Sequence, residues 1–329
     1  MNGAVQNRLG AGVACALGAG LLWGLVFIAP LLLHDYPATV LSVGRYIAFG
    51  LLAIPLGWLD RKAISRLTRS DWIEAAKLSL VGNLIYYAFL AAAIQTAGAP
   101  LPTMIIGTLP VVIAICSNIS APQLRWRKLL APLGMIAIGI GLVNRDEWHA
   151  ASQSSTQSLI VGALLAGVAV ICWTWYPIRS ARWLREHPHS GSSTWATAQG
   201  LSTLPLAAGA GLLLYIGEAS FGLHSAAYNW PFGPRPLVFI GLMLVIGLFA
   251  SWLGTLLWNR ASKFMPTALA GQLIVFETLA ALLYAFLLRQ QWPPWATWFG
   301  IAFLVGGISL AIRQFDSASD RADPSAPAN

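Results

Sequence analysis

Hydrophobic residues in this 329-residue chain are gathered into ten runs of roughly 15 to 25 residues, with the charged residues almost wholly between them. An α-helix of that length crosses a hydrocarbon core of about 30 Å. The ten runs, called the first to tenth segments below, are approximately 10–33, 38–59, 73–96, 100–118, 129–143, 158–178, 193–216, 237–259, 264–288 and 295–312. The pattern predicts an all-α integral membrane protein with ten transmembrane helices.

The two halves of the chain are related by a faint repeat. A shift of 150 residues matches Trp23 to Trp173, Ser42 to Ser192, Gly50 to Gly200 and Pro55 to Pro205. Five segments per half is an odd number, so two related halves enter the bilayer in opposite orientations, as is typical of secondary transporters. We therefore predict two inverted five-helix repeats, residues 1–150 and 151–315, and a disordered cytoplasmic tail, 316–329.

Composition and charge exclude a soluble domain and set the expected orientation. Charged residues make up 10% of the chain and hydrophobic residues 57%, whereas soluble chains carry about 25% charged residues. With the N-terminus inside, sixteen of the 20 lysines and arginines fall on the cytoplasmic side and three outside. This distribution predicts that both termini are cytoplasmic. The net charge of +8 then reflects topology, and we expect no nucleic-acid partner.

Enzyme and metal signatures do not occur in the sequence. It contains no HExxH, GxSxG or P-loop motif, and its histidines lie at segment ends or in loops. Cys15, Cys116 and Cys172 lie within segments without metal-like spacing, and we predict that they are free thiols. We therefore expect no enzyme activity, no cofactor and no metal. A membrane-embedded enzyme or a lipid-handling protein is the alternative from another class.

Two charged residues lie deep inside predicted segments. Arg45 is about 10 Å below the outer boundary, and Glu277 is about 18 Å from the inner one, so their depths agree in a core of about 30 Å. A charge at this depth must be paired or hydrated, so both should face the protein interior. They could form a permanent ion pair, or bind the carboxylate and ammonium of a zwitterionic solute. Glu277 could also couple transport to protons.

Polar and aromatic residues near the middle of the segments form a second group of site candidates. Amides and hydroxyls within lipid face a cavity or another helix, and aromatic rings supply apolar walls. For each ring, helix packing competes with solute contact as its role. The candidates are Trp23, Asn83, Tyr86, Tyr87, Thr108, Trp173, Trp175, Tyr176, Gln199, Ser251, Trp252 and Gln272. Glu74 and Lys77, three residues apart, are instead predicted to form a helix pair at the cytoplasmic end.

Several short motifs resemble the drug/metabolite transporter superfamily in its ten-helix EamA-type branch. They are Leu-Leu-Trp-Gly (21–24), Leu-Ser-Val-Gly-Arg-Tyr (41–46), Thr-Leu-Pro-Val-Val (108–112), Phe-Glu-Thr-Leu-Ala-Ala-Leu-Leu (276–283) and the glycine-rich ends of the fifth and tenth segments. The resemblance covers most of residues 10–312. It implies two inverted five-helix repeats, a bacterial inner-membrane location and alternating access around a central cavity.

The chain departs from the family pattern in its ninth segment. The family often ends this segment with Leu-Gly-Glu, where this chain has Leu288-Arg289-Gln290, and Thr278 replaces an expected proline beside Glu277. The family's usual coupling or gating arrangement is therefore in doubt here. The interior, rich in tryptophan and tyrosine, is similar to that of the aromatic amino acid exporters.

The combined pattern predicts an inner-membrane exporter of small organic solutes, with amino acids, including aromatic and neutral ones, as the favoured class. Its partners would be the solute and the lipid bilayer. The alternative within the transporter class is a proton- or cation-coupled exporter of drugs or metabolites that depends on Glu277.

Overall fold

The computed structural model of the chain describes residues 2–33, 35–97, 100–120, 124–145, 155–221, 231–290 and 292–321, and within these ranges the backbone forms helices and connections but no strand. Helices in the first half are Asn2–Gly24, Leu25–Phe27 (3-10), Ile28–Leu32, Ala38–Leu59, Arg61–Ile64, Arg69–Ser79, Leu80–Ile85 (π), Tyr86–Ala97, Pro100–Gly107, Leu109–Ser120 and Trp126–Val143. Those in the second half are Thr156–Glu186, Ser192–Phe221, Pro236–Ile246, Gly247–Leu253 (π), Gly254–Phe264, Thr267–Leu273, Val275–Arg289 and Trp295–Arg321.

Eight of the described helical stretches are long and apolar enough to cross a membrane: Thr39–Leu59, Arg69–Ile94, Trp126–Val143, Thr156–Glu186, Ser192–Gly217, Pro236–Phe264, Thr267–Leu288 and Trp295–Phe315. At the places of the first and fourth predicted segments the structure has the shorter apolar helices Arg8–Gly24 and Leu109–Ser120. The fold is therefore an all-helical membrane fold.

Several boundaries differ from those predicted. The fifth segment is an 18-residue helix that continues through Pro132. The last helix runs on to Arg321, into the predicted disordered tail. Helix formation there continues because no proline or glycine interrupts residues 308–321. The rest of the tail, 322–329, and most of the linker between the halves, 146–154, lie outside the described residues.

Helices of one half pack mainly against helices of the other half. The second segment contacts the seventh, the fifth contacts the tenth, and the fourth contacts the ninth. Glycines allow these close approaches, as in other membrane helices. A Cβ on Gly50 would lie 2.5 Å from Leu204, and one on Gly200 would lie 2.7 Å from Ala53. Gly50 and Gly200, matched by the repeat, therefore each contact the other half.

Four segments are interrupted near their middle, in corresponding places of the two halves. The third carries the π-helical stretch Leu80–Ile85, and the eighth carries Gly247–Leu253, which begins 167 residues later. The fourth breaks at Thr108, and the ninth breaks at Ile274, 166 residues later. π-Helical turns and broken helices are frequent at functional sites. The two pairs of interruptions thus have nearly the same separation along the chain.

Polar contacts join the helix ends on the side that carries most basic residues. Thr68 and Asp71 form a reciprocal capping box at the start of Arg69–Ser79, an arrangement that pairs two otherwise unpaired backbone N–H groups. The other carboxylate oxygen of Asp71 accepts a 2.9 Å hydrogen bond from Nε1 of Trp183. Trp183 in turn stacks on Trp195, with ring centroids 3.5 Å apart. These contacts connect the third, sixth and seventh segments.

A second set of polar contacts joins the helix ends on the opposite side. The Arg235 guanidinium forms an ion pair with Asp35, and the Tyr36 hydroxyl donates a 2.9 Å hydrogen bond to the Phe232 carbonyl. Hydrogen bonding to Asp35 raises the pKa of Arg235. The connection after the first segment is thereby tied to the start of the eighth.

Candidate functional site

Arg45 and Glu277 lie in the same region of the protein interior. Arg45 belongs to helix Ala38–Leu59, and its Nε donates a 2.9 Å hydrogen bond to Oγ of Ser251 in the π-helical part of the eighth segment. Glu277 lies in the first turn of Val275–Arg289, just after the break at Ile274. The two side chains, both within the described residues, interact through space but form no direct ion pair. Each therefore keeps unused hydrogen-bonding capacity.

A connected group of aromatic rings lies beside Glu277. Trp23 and Trp173 meet edge to face with centroids 5.7 Å apart. Tyr86 lies 6.1 Å from Trp173 and within electrostatic range of Glu277. The edge-to-face pair of Trp23 and Trp173 places the partly positive edge of one ring against the negative face of the other. Rings from the first, third and sixth segments thus form one wall next to the acidic side chain.

The repeat-related residues Trp23 and Trp173 touch each other. The first and sixth segments therefore meet through these two side chains. The contact is supported on one side by Trp258, whose ring centroid is 5.3 Å from that of Trp23.

Tyr176 extends the aromatic group toward the seventh segment. Its hydroxyl donates a 2.7 Å hydrogen bond to Oε1 of Gln199, and its ring lies 5.9 Å from Trp173. Gly82, in the π-helical part of the third segment, lies directly against this ring, because a Cβ at Gly82 would be 2.3 Å from Cδ2 of Tyr176. Both Tyr176 and Gln199 are buried, so this hydrogen-bonded pair holds Trp173 in place through the packing of the Tyr176 ring.

Several of these deep side chains keep some accessible surface. Arg45, Asn83, Tyr86, Tyr87, Trp173 and Glu277 are all half-buried. These side chains are therefore not sealed within the packed core. A cation and a carboxylate with aromatic rings near them have the chemistry to bind an amphiphilic or zwitterionic molecule.

Four other predicted site residues have different surroundings. The Thr108 hydroxyl is exposed and donates to the Ile105 carbonyl. Gln272 is fully buried and donates to the Ala268 carbonyl. Trp252 donates a 2.9 Å hydrogen bond from Nε1 to Thr197, and Trp175 is 36% exposed. Depth in the membrane, which selected these residues, does not specify the helix face on which they lie.

The predicted helix pair of Glu74 and Lys77 is wrong. Glu74 instead forms an ion pair with Nε of Arg179 in the sixth segment. A contact between helices thus replaced the local one, because Glu74 is buried against that segment and a buried carboxylate needs a close partner. Sequence reasoning also missed Trp258 and Tyr46. The Arg45 guanidinium lies 5.2 Å from the centre of the Tyr46 ring. Tyr46 directly follows Arg45 in the chain, and this adjacency was the sequence signal that could have identified it.

The cysteines and the acidic residues form no metal site in the described part of the chain. Cys15, Cys116 and Cys172 are free thiols, as predicted. No group of three or more histidine, cysteine, aspartate or glutamate side chains is close enough to hold a metal ion within the described ranges. A separate apolar cavity of about 600 Å³ lies between the second, seventh and eighth segments, but neither Arg45 nor Glu277 lines it.

Comparisons with known proteins agree with this structure. The sequence profile of the EamA-like transporter family matches residues 10–145. The inner membrane protein YtfF of Escherichia coli (strain K12) is 50% identical over 309 residues, which cover 92% of this chain and 95% of that protein. One solved crystal structure superposes with a TM-score of 0.70 at 19% sequence identity, and covers 92% of this chain and 97% of that chain. At 19% identity, that likeness concerns the fold.

Membrane-spanning helices around an interior charged and aromatic site define a multi-pass membrane transporter, whose substrate is a small molecule. This class is distinct from membrane enzymes. The chain belongs to the EamA-like transporter family, within the drug/metabolite transporter superfamily. The family resemblance of its motifs is thereby confirmed.

Proposed function

We propose that this protein exports small organic solutes, and that its substrates are amino acids, including aromatic and other neutral ones. The observation that carries the proposal is the placement of Arg45 and Glu277 beside the rings of Trp23, Trp173 and Tyr86. A guanidinium binds a carboxylate in a forked geometry, and Glu277 complements an ammonium group. The rings provide an apolar surface for the amino-acid side chain.

Transport proceeds by alternating access between two inverted five-helix repeats, residues 1–150 and 151–315, with ten transmembrane helices and both termini in the cytoplasm. The contact of Trp23 with Trp173 and the matching interruptions of the third and eighth segments support this arrangement. The location is the bacterial inner membrane, supported by the similarity to the inner membrane protein YtfF. Discontinuous helices beside the site are common in such carriers.

A second candidate function is proton- or cation-coupled export of drugs or metabolites. It is favoured because Glu277 has no direct ion-pair partner among the residues that the structure describes, so its carboxylate can exchange a lipophilic cation for protons. In this case Glu277 carries the coupling, and Arg45 holds Ser251 and the eighth segment in place.

Uptake and efflux of radiolabelled amino acids by proteoliposomes, with and without a pH gradient, test the proposal. Arg45→Ala and Glu277→Gln should each weaken binding of zwitterions about ten- to hundredfold, because a hydrogen bond to a charged group contributes about 1.5–3 kcal/mol. Arg66→Ala and Glu186→Gln are matched controls, since both residues are exposed and neither belongs to the candidate site. The controls should transport like the unmodified protein.

The same variants separate the two candidate functions. Loss of lipophilic-cation binding in Glu277→Gln, with no zwitterion bound by the unmodified protein, would favour the drug exporter. Unchanged binding and transport of amino acids in both Arg45→Ala and Glu277→Gln would refute the role of this charge pair.

A further inference from the structure

A second cavity, of about 420 Å³, lies between the third, fourth and sixth segments at the end of the molecule that carries most basic residues. Its lining is Glu74, Lys77, Ser120, Trp175, Ile178, Arg179 and Arg182. Four of these residues, at positions 175, 178, 179 and 182, follow the spacing of a single helix face. Apart from Trp175, none was a candidate for the central site, and Trp175 is directed here.

The charges around this cavity are not balanced. It has three cations and one carboxylate, and that carboxylate, Glu74, is already paired with Nε of Arg179. Lys77 and Arg182 have no acidic partner within hydrogen-bonding distance among the described residues. Among the described residues, Glu74 is paired only with Nε of Arg179. A guanidinium has five N–H donors, so the two terminal nitrogens can bind a ligand. The side chains around the cavity therefore carry a net positive charge, which favours an anionic ligand.

Polar and apolar groups are arranged in layers along the sixth segment. Trp175 lies seven residues from Arg182, or about 10 Å deeper in the membrane at 1.5 Å per residue. Ile178 lies between these two levels. From the membrane surface inward, the order is cations, then an indole ring, then the bilayer interior. An amphiphile matches this order, because its anionic head would meet the cations and its hydrocarbon body would meet the ring and the bilayer interior. A fully water-soluble anion would use only the outer layer.

We propose that this cavity binds a phosphate group, supplied by the headgroup of an anionic phospholipid. Arg182, Lys77 and the free nitrogens of Arg179 bind the phosphate oxygens, and Trp175 with Ile178 contacts the start of the acyl chains. The bound lipid bridges the third and sixth segments, which the ion pair of Glu74 and Arg179 already connects.

The test uses the purified full-length protein in detergent, freed of lipid, with phosphatidylglycerol or phosphatidylcholine added. Bound lipid is counted by native mass spectrometry, and the unfolding midpoint is measured in parallel. Phosphatidylglycerol should bind and raise the midpoint. In Lys77→Gln/Arg182→Gln its affinity should fall about 25-fold, at about fivefold for each cation. Both residues are exposed, so the variant should fold. The control Lys62→Gln/Arg66→Gln removes two exposed cations outside the cavity and should bind normally.

Inorganic phosphate and glycerol phosphate form the other arm of the experiment. If they raise the midpoint as much as the lipid does, and the cavity variant abolishes this effect, the site binds free anions and the assignment to a phospholipid is overturned. Equal binding of phosphatidylglycerol by the two double variants would overturn the phosphate site itself. Equal stabilisation by phosphatidylcholine, whose phosphate is balanced by a choline cation, would overturn the assignment to an anionic phospholipid.

Discussion

Replacing Gly82 with alanine should displace the ring of Tyr176, which packs beside the central aromatic group. The added Cβ would lie 2.3 Å from Cδ2 and 2.6 Å from Cγ of Tyr176, whereas ordinary contacts begin at 3.4 Å. The ring would therefore have to retreat by about 1 Å, since repulsion rises steeply inside the contact distance. Because the contact involves ring atoms close to the backbone, rotation of a flexible side-chain end cannot relieve it.

The size of the effect follows from three contributions. Overpacking of this kind costs about 1–3 kcal/mol. Loss of the hydrogen bond from Tyr176 to Gln199 would add about 1–3 kcal/mol, because it would leave the acceptor Oε1 of the buried Gln199 without this donor. The higher helix propensity of alanine returns about 1 kcal/mol. Gly82→Ala should therefore lower the free energy of unfolding by about 1–5 kcal/mol.

The measurement is chemical unfolding in one detergent, arranged as a double-mutant cycle with Tyr176→Ala. Gly82→Ala should cost much less in the Tyr176→Ala background, where the ring is gone and only the 2.9 Å contact with the Cβ at position 176 remains. Gly167→Ala is the matched control in the sixth segment, because its Cβ would meet nothing within 4 Å. An equal cost of Gly82→Ala in both backgrounds, or a cost equal to that of Gly167→Ala, would refute the reasoning.

Two further predictions concern stability. Gly139→Ala should destabilise the protein by about 1–3 kcal/mol, because its Cβ would lie 2.8 Å from the tenth segment. Gly141→Ala, two residues away, has open space at its Cβ and should not destabilise the protein. Equal unfolding midpoints for the two variants would contradict this packing. Gln290 has a left-handed backbone conformation, with φ of 51°, so Gln290→Gly should stabilise the protein by about 1 kcal/mol. A midpoint for Gln290→Gly no higher than that for Gln290→Ala would contradict the strain.

The all-helical fold and the placement of the eight long apolar helices could be predicted, because the bilayer imposes one length on every crossing. The meeting of Trp23 and Trp173 is consistent with the repeat, which placed equivalent residues at one point of each half. The similar depth of Arg45 and Glu277 in the membrane likewise suggested that these two residues lie in one region, although their segments are far apart in the sequence. Both inferences used only the position of each residue along the membrane normal.

The direction in which each side chain points was not accessible in the same way. Trp175 and Trp173 have nearly the same depth, yet Trp173 joins the central rings and Trp175 lines the cavity at the basic end. The partner of Glu74 is 105 residues away, and no local spacing rule reaches that far. The ion pair between Asp35 and Arg235 joins two connections whose proximity depends on the complete fold.

The π-helical stretch Leu80–Ile85 has a consequence for variation in chain length. A π turn contains one more residue than the α-helical turn it replaces, and each residue of an α-helix turns the chain by about 100°. Deleting one residue from this stretch would let the helix close into regular α form and would shorten it by only about 1.5 Å. Because the π turn and the α turn that replaces it each complete one rotation, Tyr86 and Tyr87 would keep their face of the helix. The deletion would therefore preserve the side chains beside Glu277 and leave the span long enough for the bilayer.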